Sequence, residues 1–364
     1  MRRLLIFAYA FDETSQVFSH QIGVIEQLAK HFDQTVVIAA KVGAKELQKY
    51  SRDPNSKNCI IVIQADFSRM YPKLRNLQTL FSLMLYLRHF SFHAVFYFMT
   101  ETSAALFGIY FKVRKIRQVL WYAHAHKSLR LVVASFFVDL ICSSTEGSMP
   151  LTSKKIRLIG QMVDEKMFQF SPKKHSKDLT LIHYGRFDTS KNIGMLIQVV
   201  QELLALNLEV RLRVIGSPSN QDSEFYQKQI IETYGKIINI GRVEILPACL
   251  RSQLPLHLEK SDIFLHAFRG SLDKSLVEAT LAGVPVVTLN QEYLREFGPW
   301  SNGSDKNSAD HLQFLVNEVL TVISLDTSNL KAELLRRYKV ALEKHSMSNW
   351  NVKMKNLLVN SKIA

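Results

Sequence analysis

Cysteine is scarce in this 364-residue sequence. The three cysteines, Cys59, Cys142 and Cys249, are odd in number and widely spaced. Such a pattern argues against disulfides and against a zinc site, and it favours reduced thiols in a cytoplasm. No other spacing of His, Cys and Asp residues suggests a zinc or magnesium site. We therefore expect a cytoplasmic protein that needs no bound metal.

Long uninterrupted apolar runs are also rare. Residues 4–10 follow a basic N-terminal tripeptide and imitate a signal peptide, but this run is shorter than most signal peptides require. Residues 93–111 approach the length of a membrane helix, but Glu101 and Gly108 interrupt them. We therefore predict a first strand at residues 4–9 in place of a leader, and no transmembrane segment.

Acidic residues are outnumbered by basic ones. There are 46 Lys and Arg against 32 Asp and Glu, which leaves a net charge of +14. This excess favours anionic partners such as phosphates or anionic lipid, although a basic surface without a specific role explains it equally well. No helix-turn-helix, RNP or zinc-finger pattern is present, so nucleic-acid binding is not predicted.

Apolar and polar segments alternate in a strand–helix rhythm, and the chain is long enough for two domains. The predicted strands are 4–9, 35–39, 60–64, 94–99, 118–122, 138–143, 179–184, 210–215, 238–240, 262–267 and 284–289. The predicted helices are 18–31, 76–88, 102–112, 129–137, 193–205, 223–234, 254–259, 272–282, 311–322, 328–345 and 348–358. This alternation predicts two Rossmann-like domains with doubly wound parallel sheets. A polar linker at 170–177 divides them into residues 1–170 and 171–345, and a C-terminal helix at about 346–364 rejoins the first domain.

The stretch 261–290, SDIFLHAFRGSLDKSLVEATLAGVPVVTLN, carries the strongest functional signal. It is typical of a strand, a polar turn, a helix with Ser271 as N-cap, a stop at Gly283 and a second strand. Such a turn at the carboxyl edge of a parallel sheet is where α/β proteins bind anions and nucleotides. Glu278 lies among apolar residues of that helix, where a purely structural unit rarely needs a carboxylate.

Two motifs in the second half share the pattern of a known family. Gly-Arg-Phe-Asp-Thr-Ser-Lys-Asn at 185–192 follows a strand, and Leu-Val-Glu-Ala-Thr-Leu-Ala-Gly-Val-Pro-Val-Val occupies 276–287. Together they resemble the retaining glycosyltransferases of the GT-B fold, family 4 (glycosyl transferases group 1). With Leu-Trp-Tyr-Ala-His at 120–124, the chain is similar over nearly its whole length to the bacterial subset that carries WYAH and GSLDK segments.

The resemblance implies a fold and a reaction. The fold would be GT-B, with the two Rossmann-like domains facing each other across a cleft. The reaction would move a hexose-type sugar, with retention and without a metal or other cofactor, from a nucleotide diphosphate sugar to a glycan or lipid-linked acceptor. Cell-surface polysaccharide or glycolipid synthesis would be the setting. The alternative is a catalytically silent GT-B subunit that binds a nucleotide sugar or scaffolds a partner enzyme.

Arg186 and Lys191 are the predicted catalytic cations. Negative charge builds up on phosphate oxygens when a sugar–phosphate bond breaks, and fixed cations there lower the barrier. Arg186 offers a bidentate fork and Lys191 a mobile point charge. We favour these roles over two solvated loop residues because both follow the carboxyl end of a strand.

The resemblance assigns donor binding to Gly185, Glu278 and the turn that contains Ser271, Leu272, Asp273 and Lys274. Glu278 would accept hydrogen bonds from ribose hydroxyls, although an ion pair with Lys274 is the structural alternative. The turn would present backbone N–H groups to the sugar or diphosphate. The family usually carries another glutamate eight positions before Glu278, but Gly270 stands there. Asp273 would replace it, or the backbone would.

The first half is less informative. By resemblance, His124 would contact the donor sugar, with His126 as the alternative; a purely structural role also remains open. Asp12 or Glu13 would hold an acceptor hydroxyl, or lie in solvent. Basic residues beside apolar helices suit contact with anionic lipid at the inner face of the membrane, or are merely solvated. These residues are Lys73, Arg75, Arg88, Lys112, Arg114, Lys115 and Arg117.

Overall fold

The computed structural model describes residues 2–15, 20–50, 60–65, 74–173, 176–301 and 310–359, and the side chains of all of these except 74–80. Cys59, Lys73, the side chain of Arg75 and part of the predicted linker lie outside these residues. The structure is α/β with two parallel sheets, which confirms the predicted fold class.

The chain forms two compact units, Met1–Met162 with Met347–Ala364, and Val163–Ser346. The chain therefore passes from the first unit to the second between residues 162 and 163, whereas the sequence predicted this boundary between residues 170 and 171. Two contacts explain the difference. Val163 forms a β-bridge with Ser346, and Phe168 is fully buried in the core of the second unit.

Strands and helices alternate along both units. The strands are β1 (Arg3–Phe11), β2 (Gln34–Val42), β3 (Ile60–Gln64), β4 (Ala94–Phe98), β5 (Arg117–Trp121), β6 (Leu140–Ser143), β7 (Ile156–Leu158), β8 (Leu179–Tyr184), β9 (Val210–Ile215), β10 (Val243–Leu246), β11 (Ile263–His266) and β12 (Val286–Thr288). The helices are α1 (His20–Ala29), α2 (Ala44–Lys49), α3 (Leu74–Leu87), α4 (Glu101–Val113), α5 (Leu129–Phe137), α6 (Ile193–Ala205), α7 (Gln221–Thr233), α8 (Gly235–Asn239), α9 (Leu254–Glu259), α10 (Lys274–Ala282), α11 (Gln291–Phe297), α12 (His311–Ser324), α13 (Thr327–His345) and α14 (Met347–Val359).

The first unit is built on a seven-stranded parallel sheet in the order β3-β2-β1-β4-β5-β6-β7. Its strands read as nearly continuous apolar runs because helices cover both faces. The strand order reverses between β1 and β4, and in open α/β sheets this reversal marks the place where ligands bind.

Helix α14 completes the core of the first unit. Trp350 is fully buried, and its ring centroid lies 5.3 Å from that of Trp121 and 6.1 Å from that of Phe96. The last described helix of the chain thus covers the centre of the first sheet, although it is distant from β1 to β5 in sequence.

The second unit has a five-stranded parallel sheet in the order β10-β9-β8-β11-β12. The predicted strand at 238–240 is wrong, because α8 ends at Asn239 and β10 begins only at Val243. Gly241 has φ +74° between them, and it turns the chain from helix into strand. The predicted stop of α10 at Gly283 is confirmed by its left-handed conformation, with φ +78°.

The predicted N-cap of α10 is also wrong. The cap is Asp273, and its side chain makes no capping hydrogen bond. Five short elements were missed, α2, β7, α8, β10 and α11, each too short for a clear hydrophobic period. Among the described residues, no helix is long and apolar enough to span a bilayer.

Replacement of Trp350 by Ala should destabilise the first unit. Removing a buried Trp side chain typically costs about 3–5 kcal/mol. Val352→Ala on the same helix is the matched control because Val352 is 55% exposed. The measurement is the free energy of unfolding in urea, and equal losses for the two variants would contradict the proposed role of α14.

Candidate functional site

Two loops meet at the carboxyl edge of the second sheet, where β8 and β11 are neighbours. The first follows β8 and contains Gly185, Arg186 and Lys191, and the second leads from β11 into α10. The Gly185 N–H donates to Ile215 O at 3.1 Å, so the first loop also lies against the end of β9. A side chain at Gly216 would collide with the Gly185 carbonyl, and this close approach explains the glycine.

An ion pair between Lys191 and Asp273 joins the two loops. The Lys191 side chain is only 7% exposed, and its ammonium lies 4.3 Å from the centroid of the Phe268 ring. Sequence reasoning predicted a mobile charge at Lys191. The structure instead holds this ammonium in a buried contact with a carboxylate and an aromatic face.

His266 also contacts the carboxylate of Asp273. Its Nε2 lies 3.4 Å from Asp273 Oδ2, and its Nδ1 lies 2.9 Å from Thr288 Oγ1. Because Thr288 Oγ1 already accepts from the Asn290 N–H at 3.0 Å, its own hydroxyl proton is free to donate to Nδ1. We therefore assign the proton of the neutral ring to Nε2, which donates to Asp273.

The titration of these groups fits that assignment. Burial alone would raise the pKa of Asp273, but the Lys191 charge and the His266 hydrogen bond hold this pKa well below its usual range. Burial lowers the pKa of His266, so its ring is neutral near pH 7. The site thus contains a fixed carboxylate whose Oδ2 is engaged by two donors.

Arg186 differs from Lys191 in its exposure. Its side chain is 60% exposed, and its Nε lies 3.7 Å from Asp188 Oδ2. An exposed, weakly paired guanidinium is free to reorient toward an anion. Of the two predicted catalytic cations, one is therefore built into the fold and the other extends into solvent.

Glu278 lies one turn into α10 and is only 2% exposed. Its Oε1 pairs with the Arg251 guanidinium, and its Oε2 accepts from the Tyr184 hydroxyl at 3.0 Å. The partner of Glu278 is thus Arg251 and not Lys274. Sequence reasoning missed both Arg251 and Tyr184.

Lys274 stands at the first position of α10, next to these charges. Burial, followed by the charge of Arg251, lowers the pKa of Lys274 to about 7, while Glu278 and Asp273 act in the opposite direction. An ammonium that is half-ionised near neutral pH responds strongly to the arrival of an anion.

The turn before α10 is held by Asn290. The Asn290 Nδ2 lies 3.1 Å from the carbonyl oxygens of both Gly270 and Ser271, and Leu272 anchors the turn in the core. A side chain at Gly270 would collide with the Phe268 ring that lies over Lys191. A glutamate at this position would therefore require the Phe268 ring to move.

Two buried polar atoms of this region have no hydrogen-bond partner among the described residues. They are His183 Nε2 and Ser275 Oγ. A β-carbon built at Gly185 would lie 3.8 Å from His183 Nε2 and 3.7 Å from Lys191 Cε, so this histidine lies directly under the Gly185 loop. A ligand or water that hydrogen-bonds to these atoms would satisfy them.

In the first unit, the candidate residues are less closely gathered. His124 and His126 are exposed in the loop after β5, with His126 O accepting from the Tyr122 hydroxyl at 2.6 Å. Asp12 stabilises its own turn, since its Oδ1 accepts from the Thr14 N–H at 2.9 Å. A different place is a pocket of about 210 Å³ at the β1/β4 reversal, which Arg130 and Tyr9 help to line.

The described residues contain no group of three or more His, Cys, Asp or Glu that could hold a metal ion. The cationic side chains of this region include Arg186, Lys191, Arg251 and Lys274.

Comparison with known proteins gives a family match and several structural likenesses. Residues 164–321 match the family model of glycosyl transferases group 1, and this range contains every charged side chain of the site in the second unit. No curated protein matches the sequence.

Solved structures match over nearly the whole chain. HepE from Anabaena, in complex with UDP, has 16% identity and a TM-score of 0.72, covering 98% of this chain and 99% of its own. A glycosyltransferase from Rickettsia africae has 13% identity and a TM-score of 0.71, covering 99% and 100%. Sucrose-phosphate synthase from Thermosynechococcus elongatus has 14% identity and a TM-score of 0.69, covering 98% of each. The fold is therefore GT-B, as predicted.

Asp273→Asn should leave the Lys191 ammonium buried without a counter-charge. Breaking a buried pair in this way typically costs about 3–5 kcal/mol, whereas an exposed pair contributes about 0–1 kcal/mol. Glu244→Gln is the control, since Glu244 is 48% exposed and bonds Arg213 at 2.9 Å. The free energy of unfolding should fall markedly only for Asp273→Asn.

The pH dependence gives this prediction a sign. Because the folded-state pKa of Asp273 is depressed, its contribution is complete above the unfolded pKa and is lost as the pH falls through the folded value. The stability difference between wild type and Asp273→Asn should therefore shrink in acid. A difference that grows as the pH falls would contradict the ion pair.

Proposed function

We propose that this protein is a retaining, metal-independent glycosyltransferase of family 4. It moves a hexose-type sugar from a nucleotide diphosphate sugar to a glycan or lipid-linked acceptor. The observation that carries the proposal is the ion pair between the buried Lys191 and Asp273 at the carboxyl edge of the second sheet, inside the range that matches glycosyl transferases group 1. The UDP named in the HepE complex supports a uridine donor.

The proposed donor site follows from the charges. Arg186, Lys191 and Lys274 face the diphosphate and stabilise the charge that grows on it as the bond from the sugar C1 to the phosphate oxygen breaks. These cations supply the compensation that other transferases take from a divalent metal. The N-terminus of α10 adds backbone N–H groups to the same place.

Two carboxylates would bind the hydroxyl groups of the donor. Asp273 keeps Oδ1 available while Oδ2 is bound by Lys191 and His266, so Oδ1 is suited to accept from a sugar hydroxyl. Asp273 would thus replace the glutamate that the family usually carries at the position of Gly270. Glu278 would accept from the ribose hydroxyls, with Arg251 and Tyr184 fixing its orientation.

The first unit would supply the acceptor side. His124 is proposed to orient the donor sugar, and the pocket at the β1/β4 reversal to hold the acceptor. The acceptor oxygen attacks the sugar on the face that the diphosphate leaves, and a departing phosphate oxygen takes the acceptor proton. We place this reaction in the cytoplasm, at the inner face of the membrane, in cell-surface polysaccharide or glycolipid synthesis.

Turnover of a panel of UDP-, GDP- and ADP-sugars tests the proposal. At least one donor should be hydrolysed slowly or transferred, and Arg186→Ala and Lys191→Ala should each lower the rate about 10²-fold or more, as when one transition-state donor is removed. Arg295→Ala, a cation on α11 that bonds Glu292, is the control. Nucleotide binding without turnover of any donor would favour the catalytically silent subunit.

The affinity for UDP should depend on pH through Lys274. Its pKa of about 7 means that the ammonium exists mainly below neutral pH, and only the charged form attracts a diphosphate. Calorimetric titration between pH 6.5 and 9 should therefore show weaker binding as the pH rises, by about tenfold for each unit by which UDP raises this pKa. Lys274→Met should bind weakly and almost independently of pH; an unchanged pH slope in this variant would refute the assignment.

A further inference from the structure

The positive charge of the chain is concentrated in one segment. Residues 67–138 contain ten Lys and Arg but only one acidic residue, Glu101, so this segment carries +9 of the total +14. The proposed donor site lies in the second unit and uses none of these residues, although Arg130 also helps to line the pocket at the β1/β4 reversal. Their concentration in the first unit therefore needs a separate explanation.

The same segment exposes large apolar side chains. On α5, Leu129 is 78% exposed, Val133 37% and Phe136 65%. Their spacing of four and three residues places them on one side of the helix, opposite the buried Leu131 and Ala134. Helix α5 is therefore apolar on its outer side as well as on its inner side.

Helix α4 extends this surface. Its Ile109 and Val113 are 51% and 74% exposed, one helical turn apart. The two helices touch closely at their C-terminal ends, where Lys112 Nζ donates to Phe136 O at 2.7 Å. We call the five exposed side chains the α4–α5 face: Ile109, Val113, Leu129, Val133 and Phe136.

Cations surround the α4–α5 face. Lys112, Arg114 and Lys115 lie at its C-terminal end, and Lys127 and Arg130 at its N-terminal end; all five are exposed. Helix α5 carries no acidic residue, and α4 carries only Glu101 in its first turn. Lysine and arginine stems cover apolar surface while their charged heads reach outward to anionic groups.

We propose that the α4–α5 face docks the protein onto an anionic membrane surface. Leucine, valine and phenylalanine side chains would enter the boundary between headgroups and acyl chains, and the surrounding cations would contact lipid phosphates. A membrane is favoured over a protein partner because the charge around the face is nearly all of one sign: five exposed cations lie around it, against one acidic residue, Glu101, on α4 and α5. The proposal deepens the proposed function, which places the reaction at a membrane, but the observations behind it come from the first unit alone.

Sedimentation of the full-length protein with vesicles tests this proposal. Wild type should bind vesicles of phosphatidylcholine with about 30% phosphatidylglycerol, and bind pure phosphatidylcholine far more weakly, because the attraction is to surface charge. Binding should weaken between 0.1 and 1 M salt, as the Debye length falls from about 10 to about 3 Å. Binding that ignores both lipid charge and salt would overturn the proposal.

Two variants separate the apolar from the electrostatic part. Leu129→Ser/Phe136→Ser should weaken partitioning by about tenfold or more, the effect of withdrawing large apolar side chains from a hydrocarbon boundary. Arg114→Gln/Lys127→Gln should weaken binding mainly at low salt. Phe225→Ser is the matched control, since Phe225 is 72% exposed on α7 in the other unit.

Two further measurements keep the outcome decisive. Thermal unfolding should be unchanged in the variants, because all the replaced side chains are exposed, and the stabilisation by UDP should be unchanged as well. Vesicle binding that survives Leu129→Ser/Phe136→Ser would overturn the proposal. A double variant that disrupts a dimer or another protein complex, and leaves vesicle binding unaffected, would also overturn it. Loss of UDP binding in wild type would count against the proposed function only.

Discussion

The candidate site depends on one ion pair, that of the buried Lys191 with the partly exposed Asp273. It connects the loop that follows β8 to the start of the helix that follows β11. The strands β8 and β11 are neighbours in the sheet, but Lys191 and Asp273 are 82 positions apart in sequence. A buried charge is tolerated only when it is paired and hydrogen-bonded, so each side chain fixes the other. His266 and the Phe268 ring complete this arrangement, and the proposed contacts to a phosphate and a sugar hydroxyl depend on it.

The pair also gives a physical reason for the glycine at position 270. Gly270 allows the Phe268 ring to lie over the Lys191 ammonium, and a larger residue at this position would displace the ring. The carboxylate that contacts Lys191 lies at the end of the turn, at Asp273, where the Lys191 charge and the His266 hydrogen bond lower its pKa.

Local patterns predicted what depends on local physics. The stop at Gly283, most strands and the positions of Arg186 and Lys191 follow from periodicity and from residues next to strand ends. Contacts between distant segments were not predictable. Tyr184 bonds Glu278 across 94 positions, and Lys191 pairs with Asp273 across 82 positions. The strand expected at 238–240 failed because its short apolar run fits a helix equally well.

A structure of the protein with UDP-glucose, or with another nucleotide sugar that stabilises it against heat, tests the central claim most directly. The account predicts diphosphate oxygens within hydrogen-bond distance of Lys191 Nζ and Arg186, and a sugar hydroxyl on Asp273 Oδ1. Glu278 should still be paired with Arg251 and in contact with the ribose. A nucleotide bound away from the Lys191–Asp273 pair, or a pair that the ligand leaves untouched, would contradict it.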